Sequence, residues 1–299
     1  MELETFANAV RKEIQKKLGG GYDISVITNI KNNSTKYTGI MFRRGRKITS
    51  PTVYINDLYV QYMENGLSMQ EVTEEVIKRY QKTVGAVEEI PHLDVEYETC
   101  RTRIVYRLVS RERNQEVLQN MPFIPFLDLA ITFHLVIAVN DRYMQSLKID
   151  NTIQKKWKVS VEQLFKEAKK NTERLLPAEI SELKQIAAAY EAPKEFMPEG
   201  ELSNKENIDM IVVSNELGIN GAAAVLYEGV IEKLAEEYET DLYLLPSSIH
   251  EMIVVPAFDR TMYELLGVMV KNINEQYVEN EEILSDRVYI YQREEKKFI

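Results

Sequence analysis

Pro246-Ser247-Ser248-Ile249-His250-Glu251 brings two hydroxyls, an imidazole and a carboxylate together within six residues. Hydroxyl, base and orienting acid are the ingredients of nucleophilic catalysis. The base takes the hydroxyl proton, and the acid holds the base in its useful tautomer. The same string has a plainer reading. Triads assemble from distant segments, and neighbours on a hairpin point to alternating faces. The serines would then satisfy turn backbone groups while His250 and Glu251 pair across strands. A third reading makes the tip a contact surface for a partner.

A second stretch, Ser214 to Ala222, carries Asn215, Gly218, Asn220 and Gly221 between an apolar strand and a helix. Backbone N–H groups at a helix start can hold an anion, and the glycines would let it come close. The spacing matches neither the P-loop nor the dinucleotide fingerprint. A tight connection with Asn220-Gly221 as its turn is the competing reading. If the strand before this loop lies beside the hairpin, the two segments share a face.

Other chemistries fail on count. His92, His134 and His250 are the only histidines, Cys100 is the only cysteine, and none has metal-ligand spacing to another. His134, inside a strand, is expected to be hydrogen-bonded there, and Cys100 to be a buried small residue. Two basic clusters stand out, Arg43, Arg44, Arg46 and Lys47, then Arg101, Arg103, Arg107, Arg111 and Arg113. Either could touch nucleic acid or an acidic partner. The first, apart from Phe42, lacks the aromatic interleaving of a single-strand binder, and solvated charge or pairing with the chain's own carboxylates is the default reading. The acidic run Glu275 to Glu282 reads as a solvated helix end.

The whole chain agrees with that. Its 299 residues carry a formal charge of -10, a field that disfavours nucleic acid and anionic membranes. Apolar residues make up 44%, enough for a full core and too many for disorder. One cysteine and no apolar leader point to a reducing, cytosolic setting. The most apolar stretch, Met121 to Val139, is broken by Pro122, Pro125, Asp128 and His134, so it is too short to span a bilayer.

The elements that would position these residues follow from periodicity. Leu3, Phe6, Val10, Ile14 and Leu18 recur at helical spacing until Gly19-Gly20-Gly21. Strands are expected at 22–30, 36–43 and 51–55, then a short helix capped by Asn56 and a longer one opened by the Ser68/Glu71 capping box. Residues 1–90 thus form an α-β-β-β-α-α unit. Beyond a connector, strands are expected at 103–109 and at 129–139, the latter covered on both faces. A Ser160/Gln163 capping box opens a helix that Pro177 stops, and a further helix is expected over 178–190. Residues 191–207, acidic with Pro193, Pro198 and Gly200, read as a loop or an internal boundary. From 208 the order β-α-β-β-α-β predicts a mixed sheet with helices on one side. The fold class is α+β, with a small domain over 1–90 and a larger one over 91–299.

Glu-Thr-Phe-Ala (4–7), Tyr-Asp-Ile (22–24), Pro-Phe-Leu-Asp-Leu-Ala (125–130), Leu-Pro-Ser-Ser-Ile-His-Glu (245–251) and Leu-Ser-Asp-Arg-Val-Tyr (284–289) resemble an uncharacterised domain family of anaerobic, mostly gut-dwelling, Gram-positive bacteria. From Trp157 onward the chain is more distantly similar to the uncharacterised YtpP-related family. The likeness rests on a tryptophan before a capped helix that carries Ala168-Lys169-Lys170-Asn171, a strand–Asn–Gly–Ala–helix unit and a proline-tipped hairpin. The tip there is shorter and ends in basic and acidic residues, where this chain has His250-Glu251. The resemblance implies architecture and leaves activity open.

The expectation is therefore a non-catalytic binding or adaptor protein without cofactor or metal. Its contact surface would be Ser247, Ser248, His250 and Glu251 with Asn215, Gly218, Asn220 and Gly221, and its partner a protein or a small anionic ligand. The alternative is a small-molecule hydrolase using Ser247 or Ser248 with His250.

Overall fold

A computed structural model of the chain describes residues 1–44, 51–86, 95–140, 143–183, 209–246 and 248–299. The contacts divide the chain into two compact units, Met1–Asp94 and Val95–Ile299.

In the first unit, α1 (Leu3–Leu18) is followed by β1 (Asp23–Ile30), β2 (Lys36–Arg43), β3 (Thr52–Tyr54), α2 (Asn56–Glu64) and α3 (Met69–Ala86). The strands form one antiparallel sheet in the order β1-β2-β3. The apolar stripe of α1 (Phe6, Val10 and Ile14) and that of α3 (Val72, Val76 and Tyr80) bury against Ile24, Ile40 and Phe42. Each such side chain contributes about 1.5–3 kcal/mol by leaving water. The Ser68/Glu71 box opens α3: the Glu71 carboxylate accepts from the Ser68 amide at 2.8 Å, and Ser68 Oγ accepts from the Glu71 amide at 3.3 Å. Asn56 does not cap α2. Its Oδ1 accepts from the Thr38 amide at 2.9 Å and so ties the helix to β2.

The second unit contains α4 (Tyr97–Cys100), β4 (Ile104–Ser110), α5 (Gln115–Leu118), β5 (Phe123–Phe126), β6 (Leu129–Asn140), β7 (Tyr143–Lys148), α6 (Asn151–Trp157), α7 (Val161–Leu175), β8 (Ala178–Glu182) and β9 (Ile211–Asn215). A 3-10 turn (Gly221–Leu226) then leads to α8 (Val230–Glu237), β10 (Leu242–Leu245), β11 (Met252–Pro256), α9 (Met262–Tyr277), β12 (Tyr289–Gln292) and β13 (Lys297–Phe298). Strand β6 pairs with β4, β5 and β7, and a second sheet runs β13-β12-β10-β11-β9-β8. One core joins the two sheets. Tyr106, Ile131 and Phe133 pack with Val213, Leu244 and Val254, sealed by Leu164 of α7 and Leu234 of α8. The other face of the six-stranded sheet buries Tyr243, Leu245 and Val255 under Met262, Leu266 and Val270 of α9.

The α+β class holds, and three details differ from expectation. Every ladder among the described residues is antiparallel, where a mixed sheet was expected, because β9 meets β11 head to tail. Helices cover both faces of that sheet, α8 on one and α9 on the other. Residues 178–182 form strand rather than helix: Ala178 to Glu182 pair with Asn215 to Ile211, and the open edge of β9 outweighs local propensity. Residues 191–207, Arg46, Lys47, His92 and Ser247 lie outside the described residues.

Candidate functional site

The loop after β9 and the tip between β10 and β11 do come together. Ser214 Oγ donates to the His250 carbonyl at 2.8 Å, and the Ala222 amide donates to the Ile249 carbonyl at 3.2 Å. Asn215 is fully buried. Its Nδ2 donates to the Ile219 carbonyl at 3.0 Å, and its Oδ1 accepts from the Leu217 and Ile219 amides at 3.1 and 3.4 Å. A short amide side chain thus replaces the backbone partners that the turn itself cannot supply. Asn220 and Gly218 adopt left-handed backbone conformations, φ 55° and 64°. At Gly221 the requirement is space: a Cβ would meet Ser214 Oγ, the His250 carbonyl at 2.5 Å and the Asn215 amide at 2.7 Å.

At Ser248 the hydroxyl is hydrogen-bonded to a carboxylate and to a backbone amide. Ser248 is buried. Its hydroxyl donates to Glu251 Oε1 at 2.7 Å and accepts from the His250 amide at 3.0 Å. His250 Nδ1 accepts from the Asn220 amide at 3.3 Å, which in the neutral ring leaves the proton on Nε2. That nitrogen faces Glu282 Oε1 at 3.4 Å. The imidazole therefore addresses Asn220 and Glu282, and the Ser248 proton goes to a carboxylate. The Glu282 carbonyl also accepts from the Ile249 amide at 2.8 Å, so the end of the acidic run clamps the tip rather than standing free in solvent.

A second constellation escaped the sequence reading. Asp128 accepts from Tyr289 OH at 2.6 Å through Oδ1 and from Ser285 Oγ at 2.7 Å through Oδ2. Burial, reinforced by the bond to Asp128, pushes the Tyr289 phenol far above its ordinary range, while the Arg287 charge pulls weakly the other way. Beside this node lie two adjoining clefts that share Leu127, Asp128 and Arg287. One, of about 260 Å³, is lined also by Arg111, Glu112 and Gln115. The other, of about 610 Å³, has an apolar wall that includes Tyr263 and Val268 of α9. Two of the strings quoted above, 125–130 and 284–289, supply Asp128, Ser285, Arg287 and Tyr289. That was the signal available in sequence.

A family described as being of unknown function, DUF5688, matches residues 3–293. The chain belongs to DUF5688. No curated protein and no solved structure matches it. In this DUF5688 chain the second basic cluster disperses. Arg101 pairs with Glu98 at 3.0 Å, Arg113 pairs with Asp286 at 3.0 Å, and Arg107 turns into the sheet. Arg44 lies over the Tyr22 ring at 5.6 Å. Cys100 is buried. Among the described residues no group of His, Cys, Asp and Glu could hold a metal, and no helix is long and apolar enough to cross a membrane.

Proposed function

We propose that the chain is a non-catalytic binding protein whose larger unit takes a small amphiphilic anion into the paired clefts beside Asp128. One observation carries this reading: Arg111 and Arg287 line the same cleft, and although Glu112 and Asp128 line it too, neither guanidinium forms an ion pair with a carboxylate among the described residues. Exposed arginines in a protein with ten surplus negative charges would ordinarily find one. Both oxygens of Asp128 accept from Tyr289 and Ser285, which holds the floor of the cleft rigid. The apolar wall of α9 then accommodates a hydrocarbon body, and the arginines take a carboxylate or phosphate head.

Titration calorimetry with octanoate, octyl phosphate and octanol tests this. Either anion should bind, octanol should bind about tenfold more weakly or not at all, and Arg287→Ala should remove that preference. Equal binding of octanol and the anions overturns the reading. The buried single thiol, together with the resemblance noted above, supports assigning the protein to the cytosol of anaerobic Gram-positive bacteria. Fractionation of such cells tests that assignment.

A further inference from the structure

The four-stranded sheet has a second face. Tyr106 and Leu108 of β4 and Ile131, Phe133 and Leu135 of β6 point into the main core. Strand alternation therefore sends Val105, Arg107, Thr132, His134 and Val136 to the opposite side. The register sets Arg107 across from Thr132 and Lys148 across from His134. Val105, Thr132, His134 and Val136 are all buried. None of this face belongs to the three apolar clusters formed by the described residues.

What it holds instead is the buried guanidinium of Arg107. Arg107 donates through Nη2 to Ser146 Oγ at 2.6 Å, while its Nε, closed off from solvent, has no partner. No carboxylate reaches the guanidinium among the described residues, and burial alone pushes its pKa down to about 10. Beside it, His134 Nε2 lies 3.1 Å from Thr132 Oγ1, and the buried Nδ1 has no partner. Burial, and then the charges of Arg107 and Lys148, hold this imidazole well below its ordinary pKa. Buried polar groups are hydrogen-bonded as a rule, and a buried guanidinium is ordinarily paired with an anion. Two orphans side by side mark a place built for something more.

We infer that this face is an oxyanion site, in which Arg107 Nε–H and the His134 ring donate to one carboxylate or phosphate group. The chemistry disfavours a cation, since the Arg107 guanidinium repels one from the imidazole. Water would satisfy the hydrogen bonds but leave the guanidinium charge uncompensated. This site is separate from the Arg111/Arg287 cleft and does not depend on it.

The test is thermal unfolding of the full chain at constant ionic strength in chloride, inorganic phosphate and acetate. It is paired with nitrogen NMR of the histidine rings. A ligand that binds only the folded state raises Tm with the logarithm of its concentration. Phosphate or acetate should do so saturably and shift the His134 Nδ1 resonance, and the probe that saturates at lower concentration identifies the head group. Arg107→Lys keeps the charge but loses Nε–H, and should weaken binding about tenfold. Arg287→Ala should leave the His134 shift and the Arg107-dependent part of the Tm response intact, which separates this site from the cleft. Equal Tm shifts in wild type and Arg107→Lys, or an unmoved His134 resonance, would overturn the inference. The wild-type NMR decides the matter even if the variant fails to fold.

Discussion

Tyr289 donates its hydroxyl to Oδ1 of Asp128, 161 residues earlier in the chain, at 2.6 Å. The bond joins the corner between β5 and β6 to the start of β12, and Ser285 closes the other carboxylate oxygen. Tyr289→Phe keeps the ring and leaves Oδ1 without a donor. It should destabilise the protein by about 1.5–3 kcal/mol, the range for a hydrogen bond to a charged group. Urea unfolding measures it. A double-mutant cycle with Asp128→Ala should be clearly non-additive, and additive losses would show that the pair is not coupled.

The same residue makes the fold alkali-sensitive. Burial raises the phenols of Tyr289, Tyr106 and Tyr227 well above their ordinary value. The unfolded chain therefore releases these protons near pH ~10, while the folded chain keeps them. With fewer protons bound in the unfolded state, stability falls as pH rises. The contribution is complete below about pH 10 and shrinks by roughly 1.4 kcal/mol per pH unit per tyrosine above it. Chemical denaturation across that window should show the decline, and Tyr289→Phe should flatten its slope.

Gly221 tests the union of loop and tip. An added Cβ meets Ser214 Oγ, the His250 carbonyl at 2.5 Å and the Asn215 amide at 2.7 Å, none of them the far end of a flexible chain. Gly221→Ala should cost about 1–3 kcal/mol or more. Gly20→Ala, where a Cβ meets nothing within 4 Å, is the control and should be close to neutral. Equal effects at the two positions would mean that the loop can move away from the tip.

Asn215→Ala removes three hydrogen bonds to the loop backbone from a fully buried position. The loss should reach about 2–3 kcal/mol, with amide exchange quickening at Leu217 and Ile219 first. Ser160→Ala is a local counterpart. It removes one half of the box that opens α7, where Ser160 Oγ accepts from the Gln163 amide at 3.2 Å, and should cost about 1 kcal/mol.

Both capping boxes were legible because each depends on residues three apart. The hairpin around 246–251 was legible too, as two apolar runs flanking a polar tip, and so was β6, with large residues at alternate positions. Strand β8 was missed because its partner, β9, begins 29 residues after it ends. Arg107 was counted with four other arginines as surface charge, since composition carries no information about which face of a strand is covered. Strands β5, β7 and β13 were also missed.

By itself the sequence determined the α+β class, most of the helices and the hairpin, because caps, turns and periodic apolar faces act over a few residues. It also brought Ser248, His250 and Glu251 into one string. Only the tertiary structure decided their chemistry. Asn220 and Glu282, from other segments, take the two ring nitrogens of His250, and Glu251 takes the Ser248 proton. The Asp128–Tyr289 node and the unmatched Arg107–His134 pair likewise exist only once distant strands are in register. Hydrogen bonds and charge compensation depend on distance in space, and chain order does not encode that distance.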